Sequence, residues 1–249
     1  MSDAKVALVT GGTSGIGRAT ALGLAEAGYS VAICGRRQDK LDEITAVKTS
    51  SPIFGVACDV SDPQSVKEMF AAILEKFGRI DVVFNNAGRS AAAATVGDTE
   101  TDVWLDMVST NLNGAFFVAR EAFRIMRDQK PQGGRIINNG SISAHTPRPH
   151  AVAYNATKHA VSGLTKSISL DGRPYNIACG QIDIGNTATD MTAKMNTGML
   201  QADGSTKPEP TFNVKHVADA VRYMADLPLD ANVQTITVMA TNMPYVGRG

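Results

Sequence analysis

Tyr154 and Lys158 stand four residues apart at the start of a stretch of helical period that runs to about residue 170. On a helix that spacing puts the phenol and the ammonium on one face, with Cβ atoms about 5–6 Å apart. A free tyrosine titrates near pKa ~10. A cation within about 4–6 Å lowers such a group by about 1–3 units, toward the range useful for general acid–base chemistry. The pair alone also fits an amphipathic helix with a surface lysine. Ser141 adds a hydroxyl 13 residues before Tyr154, just past a β-branched run at 135–139. In open α/β sheets, ligands bind at such carboxyl strand ends. Asn111 falls within an apolar stripe of Trp104, Met107, Val108, Ala115 and Val118. A buried amide there must find partners, which suggests a polar network or an ordered water.

A second group of residues suits a nucleotide. Thr10-Gly11-Gly12-Thr13-Ser14-Gly15-Ile16-Gly17 follows the first apolar run and opens a helical stretch to about residue 27. The glycines are spaced GxxxGxG, not GxGxxG, but the physical needs are shared. One glycine permits the tight turn, one lets phosphates approach the backbone, and one lets the helix lie close to the strand. The helix start then offers unpaired N–H groups to an anion. The second run ends at Gly35-Arg36-Arg37, with no acid before Asp39. A carboxylate near this place would hold the ribose hydroxyl of NAD. Two guanidiniums suit the 2′-phosphate of NADP instead. The expected cofactor is NADP, with NAD possible; a solvated basic pair bridged to Asp39 or Asp42 is the alternative.

These groups need a scaffold, and the pattern supplies one. Apolar runs at 5–9, 30–34, 53–58, 81–85, 135–139, 176–181 and 233–238 alternate with amphipathic stretches. The runs are continuous rather than alternating, as in a parallel sheet covered on both faces. Helical stripes such as Val66, Met69, Phe70, Ile73, Leu74 and Phe77 lie between them. The expectation is an α/β, doubly wound, seven-stranded parallel sheet with helices on both faces. The 249 residues, with no linker, repeat or charge block, read as one domain over 1–249 with a long non-periodic loop at about 185–213. Twenty-four basic against 24 acidic side chains supply no polyelectrolyte term, so neither nucleic acid nor a membrane surface is expected as partner. No apolar run reaches the length of a membrane span. Cys34, Cys58 and Cys179 read as reduced core residues, neither disulfide framework nor metal site, and the expected location is cytoplasmic.

Taken in order, these features resemble the short-chain dehydrogenase/reductase family over essentially the whole chain. The resemblance rests on TGGTSGIG at 10–17, Asp59-Val60, NNAG at 85–88, Asn111, Ser141 and YNATK from Tyr154. It implies a Rossmann-like oxidoreductase moving a hydride between nicotinamide C4 and a ketone or secondary alcohol. Tyr154 would exchange the proton, and Ser141 would hydrogen-bond the substrate oxygen. Lys158 would bind the nicotinamide ribose and act on the tyrosine, and Asn111 would hold a water joined to Lys158. The cofactor would also meet Gly11, Thr13, Ser14, Gly15, Ile16 and Gly17, Arg36 and Arg37, Asp59 and Val60, and Asn86, Ala87 and Gly88. Ile184 and Thr189 would complete that set.

Three departures stand out. Ile184-Gly185 replaces the usual Pro-Gly, Asn139-Gly140-Ser141 replaces a Ser-Ser pair, and 236–241 lacks Asp-Gly-Gly. A small-molecule carbonyl or alcohol would sit between Ser141–Tyr154 and a loop offering Met191, Met195, Met199, Leu200 and Phe212. His145, Arg148 and His150 are candidates for meeting an anionic substrate. The family habit implies a homotetramer, dimer second, through helices at about 102–127 and 152–170. A catalytically silent NADP-sensing protein of the same fold is the competing reading.

Overall fold

β-Branched and apolar runs form strands where both faces can be covered, and seven of them do so here. The computed structural model describes residues 4–189, 192, 195 and 197–246. The sheet strands are β1 (Val6–Thr10), β2 (Ser30–Gly35), β3 (Ile53–Ala57), β4 (Val82–Asn85), β5 (Gly134–Asn139), β6 (Ile177–Ile184) and β9 (Thr235–Val238). They pair in parallel in the order β3-β2-β1-β4-β5-β6-β9. The order reverses between β1 and β4, which opens a crevice at the carboxyl ends of those two strands.

The helices α1 (Gly15–Glu26), α2 (Gln38–Thr45) and α7 (Lys215–Asp226) send Leu24, Leu41, Val217 and Val221 into one apolar layer. On the other face, α3 (Pro63–Phe77), α5 (Gly114–Asp128) and α6 (Val152–Asp171) contribute Met69, Ile73, Val118, Met126 and Ile168. Local chemistry sets the ends of α3. The Asp62 carboxylate accepts the Gln64 N–H at 2.9 Å, Pro63 sits in the first turn, and Gly78 closes the helix at φ +78°. All three cysteines are buried and free. Among the described residues no helix is long and apolar enough to cross a membrane.

The structure differs from the sequence reading in three elements. β6 continues three residues past the expected end at 181. Gln181 and Asp183 break the apolar run, yet both find partners: Thr165 Oγ1 donates to Gln181 Oε1 at 3.0 Å, and Gln181 Nε2 donates to Ser162 Oγ and Asp183 Oδ1. The helix expected at about 102–127 is α4 (Thr101–Val108), one π turn over Ser109–Asn113, and then α5. Trp104, expected on the buried stripe, is 38% exposed, while Met107 and Val118 are buried. The 185–213 stretch carries a small antiparallel pair, β7 (Met199–Leu200) with β8 (Thr206–Lys207), and a bridge from Thr187 to Phe212.

Candidate active site

The glycine turn between β1 and α1 is shaped by backbone contacts. Gly11 and Gly15 hold φ of +64° and +49°, the left-handed region that glycine tolerates. A Cβ on Gly17 would lie 2.2 Å from the Gly11 carbonyl oxygen, so no side chain fits there. Thr13 packs its methyl at 3.0 Å from where a Gly35 Cβ would stand, which ties the turn to the end of β2. Ser14 occupies the N-cap of α1 but makes no side-chain capping bond, and the first turn carries no acid. Among the described residues no side chain accepts the N–H groups of the helix start, an arrangement that fits a pyrophosphate. Ile16 packs on the core beside the turn. Thr189 approaches the same turn, its Cγ2 lying 3.4 Å from a Cβ built on Gly15.

Polar contacts run from that turn across the strand ends to Lys158. The Thr10 hydroxyl accepts the N–H groups of Asn86 and Ala87, each at 2.9 Å, and Asn86 Nδ2 donates to the Thr10 carbonyl at 2.8 Å. Asn139 Nδ2 donates to Asn86 Oδ1 at 2.8 Å, and Lys158 Nζ donates to the Asn139 carbonyl at 2.7 Å. Lys158 is 7% exposed, and its ammonium stands 5.6 Å from the Tyr154 ring centroid. Among the described residues Lys158 is in no ion pair. Buried Asn111 sits in the π turn, a helix distortion common at functional sites. Its Oδ1 accepts the Arg89 N–H at 2.8 Å, and its Nδ2 donates to the Arg89 carbonyl at 2.9 Å and to the Met107 sulfur. The amide clamps the main chain beside Gly88.

Ser141 follows β5 and caps a short 3-10 turn, Ile142–Ala144. Its Oγ accepts the Ser143 N–H at 3.1 Å. Its own main-chain N–H donates to Asp183 Oδ1 at 3.0 Å, and His145 Nε2 lies 2.8 Å from Asp183 Oδ2.

Arg36 and Arg37 are exposed at the end of β2, and among the described residues neither is in an ion pair; Asp42 instead accepts Gln38 Nε2. Asp59 accepts the Ser61 N–H and hydroxyl, which hold its carboxyl below the usual range despite partial burial, with Arg36 adding to the effect. Buried Val60 meets the start of α5, where only Gly114 leaves room: a Cβ there would lie 2.9 Å from Val60 Cγ2. Ile184 is buried at the end of β6. Arg148, a candidate for a substrate anion, is engaged within the chain. Its guanidinium donates to both oxygens of Glu209 at 2.7 and 3.1 Å and to Asn186 Oδ1 at 2.8 Å. Burial alone would raise the Glu209 pKa. The bonds from Arg148, Asn186 and Gln201 outweigh it and hold the carboxyl at about 2. Met191 lies outside the described residues. A groove of about 560 Å3 beside α6 is lined by Val96, Arg148, His150, Val152 and Asn155 among others.

Residues 5–200 match the family described as short chain dehydrogenase. The chain belongs to that family. It is an oxidoreductase of the short-chain dehydrogenase type, with a fold to match. A 3beta-hydroxysteroid dehydrogenase of Mediterraneibacter gnavus is 41% identical over 194 residues, covering 77% of this chain and 69% of that protein. A putative ketoacyl reductase of granaticin polyketide synthase from Streptomyces violaceoruber is 35% identical over 192 residues, covering 76% and 70%. Among solved structures, an actinorhodin polyketide ketoreductase variant with NADPH superposes with a TM-score of 0.84 at 29% identity, over 95% of this chain and 96% of the other. The short-chain dehydrogenase match stops before Glu209.

Sequence reasoning gave no role to Thr10, Asn139, Asp183 or Glu209. The signal for Asp183 was present, an acid inside an otherwise apolar strand. Thr10 and Asn139 had only their positions, each the last residue of a strand whose end faces the crevice.

Proposed function

We propose that this short-chain dehydrogenase interconverts a ketone and a secondary alcohol with NADP, and that Tyr154 exchanges the proton with the substrate oxygen. One observation carries the reading. A buried Lys158, in no ion pair among the described residues, stands over the Tyr154 ring at the end of a hydrogen-bond chain that begins in a glycine turn fit for a pyrophosphate.

The turn and the N-terminus of α1 would hold the pyrophosphate, with Gly11, Thr13, Ser14, Gly15, Ile16 and Gly17 around it. Arg36 and Arg37, free to turn toward a ligand, would meet the 2′-phosphate through charge-assisted bonds. Asp59 and Val60 would face the adenine, and Asn86, Ala87, Gly88, Ile184 and Thr189 would line the rest. Bound NADP supplies the hydride chemistry. In the reducing direction Tyr154 gives its proton to the substrate oxygen, and the negative charge left on the phenol oxygen forms beside the Lys158 ammonium. The Ser141 hydroxyl, whose oxygen already accepts from Ser143, donates its own hydrogen to the substrate oxygen as charge develops there. Asn111 keeps the Gly88–Arg89 main chain in place along the cleft.

The named activities of the relatives, on a hydroxysteroid and on ketoacyl groups, support a secondary alcohol or ketone on a largely apolar skeleton. Met195, Met199, Leu200 and Phe212 offer apolar, adaptable surface for it. We also place the working protein as a homotetramer, dimer second, in the cytoplasm. Exposed Val103, Trp104, Leu105 and Phe116 on α4 and α5, and the open space at Gly163 on α6, support that assembly.

Titration calorimetry with NADPH and NADH, followed by a screen of ketones with the preferred cofactor, tests the reading. Tight NADPH binding and NADPH-dependent reduction are expected. Cofactor binding with no hydride transfer across the screen would favour a silent sensor instead.

A further inference from the structure

Asp183 lies fully buried on β6, one residue before the strand ends. A carboxylate out of water is costly unless its lone pairs are taken up. Its Oδ1 accepts the Ser141 N–H at 3.0 Å and Gln181 Nε2 at 2.7 Å, and His145 Nε2 stands 2.8 Å from Oδ2. Ser141 caps the Ile142–Ala144 turn at its start, and His145 follows it at its end. One carboxylate therefore pins both ends of the turn that carries the Ser141 hydroxyl.

The residue before Ser141 is matched to that carboxylate. A Cβ on Gly140 would lie 2.1 Å from Asp183 Oδ1 and 2.6 Å from Gln181 Nε2. Gly140 has no left-handed φ, so it is there for space and not for an unusual backbone conformation. Any side chain at 140 would push the carboxylate away from the Ser141 N–H. The glycine and the acid, 43 positions apart, form one device.

We propose that Asp183 is a positioning residue for the reaction: by holding the Ser141 main chain and the His145 ring, it sets the Ser141 hydroxyl where the substrate oxygen is stabilised. This rests on the role given to Ser141 above. Asp183→Asn keeps an acceptor for the Ser141 N–H in the same shape, whereas Asp183→Leu keeps the shape without the acceptor. The readouts are kcat and KM on a ketone that the wild type reduces, and NADPH affinity by calorimetry. A hydroxyl displaced by up to an ångström predicts a kcat loss of about 10- to 100-fold in the Leu variant, with NADPH affinity within about threefold of wild type. The Asn variant should recover kcat to within about fivefold of wild type.

Gly140→Ala displaces the carboxylate by another route and should show the same selective kcat loss, even if the Leu variant fails to fold. With Ser141→Ala inactive, wild-type kcat in the Leu or the Gly140 variant overturns the proposal. So does an Asn variant that binds NADPH yet is as slow as Ser141→Ala. Wild-type kcat in Ser141→Ala itself would remove the role of Ser141, and the proposal with it, while leaving the cofactor reading intact.

Discussion

Lys158 and the two arginines show how much a single side chain's surroundings decide. Lys158 is buried and holds a carbonyl, so its charge is available to a neighbour inside the protein. Arg36 and Arg37 are exposed at the end of β2, and in the proposed role they meet a phosphate brought by the cofactor. Replacing both by Ala should weaken NADPH binding about 10- to 100-fold and leave NADH within about threefold, because only the 2′-phosphate makes the charge-assisted bonds. Fluorescence titration of both cofactors checks this, and equal losses would contradict the assignment. At this scale the sequence was legible where the geometry is local: the Tyr154–Lys158 spacing on α6 and the glycines of the turn. Arg148 was not legible. Its partner Glu209 is 61 positions away, and no periodicity joins two loops.

Turns and loops position these groups, and each has a distinct weak point. Gly17 lies against the Gly11 carbonyl, so Gly17→Ala should cost about 1–3 kcal/mol of stability by overpacking. The same change should weaken NADPH binding more than tenfold, read by thermal melts and calorimetry. The loop that carries Met199 and Leu200 is latched by Glu209. A carboxyl whose folded pKa is depressed contributes stability above its unfolded value and loses it as pH falls through the folded one. The window here runs from about 4.5 down to about 2. Between pH ~5 and pH ~2.5 the wild type should lose about 2–3 kcal/mol that Glu209→Gln does not lose, read as converging melting temperatures. A wild type and variant with parallel pH dependence would contradict the latch. The π turn at Asn111 left no mark in a stripe that reads as continuous helix, whereas the extension of β6 past Gln181 to Ile184 was hidden by Asp183. Polar residues inside apolar elements look like breaks until tertiary partners satisfy them.

For the whole molecule, the seven parallel strands and their covering helices follow from continuous apolar runs and amphipathic stripes, and these were readable along the chain. The strand order was not, since it depends on which crossovers pack. It is the order that places the glycine turn after β1 beside Asn86 after β4, at the reversal point of the sheet. The exposed apolar residues on α4 and α5 argue at this scale as well. Light scattering at micromolar concentration should give a tetramer, and Trp104→Glu with Phe116→Glu should reduce it to smaller species. A wild-type monomer would contradict the assembly. The most direct test of the account remains the proton transfer at the centre of this scaffold. Turnover of an NADPH-reduced ketone should be compared between wild type and Tyr154→Phe, with NADPH affinity measured in both. A kcat lower by about 10²- to 10⁴-fold with cofactor affinity retained is expected; wild-type turnover in the phenylalanine variant would rule out Tyr154 as the proton donor.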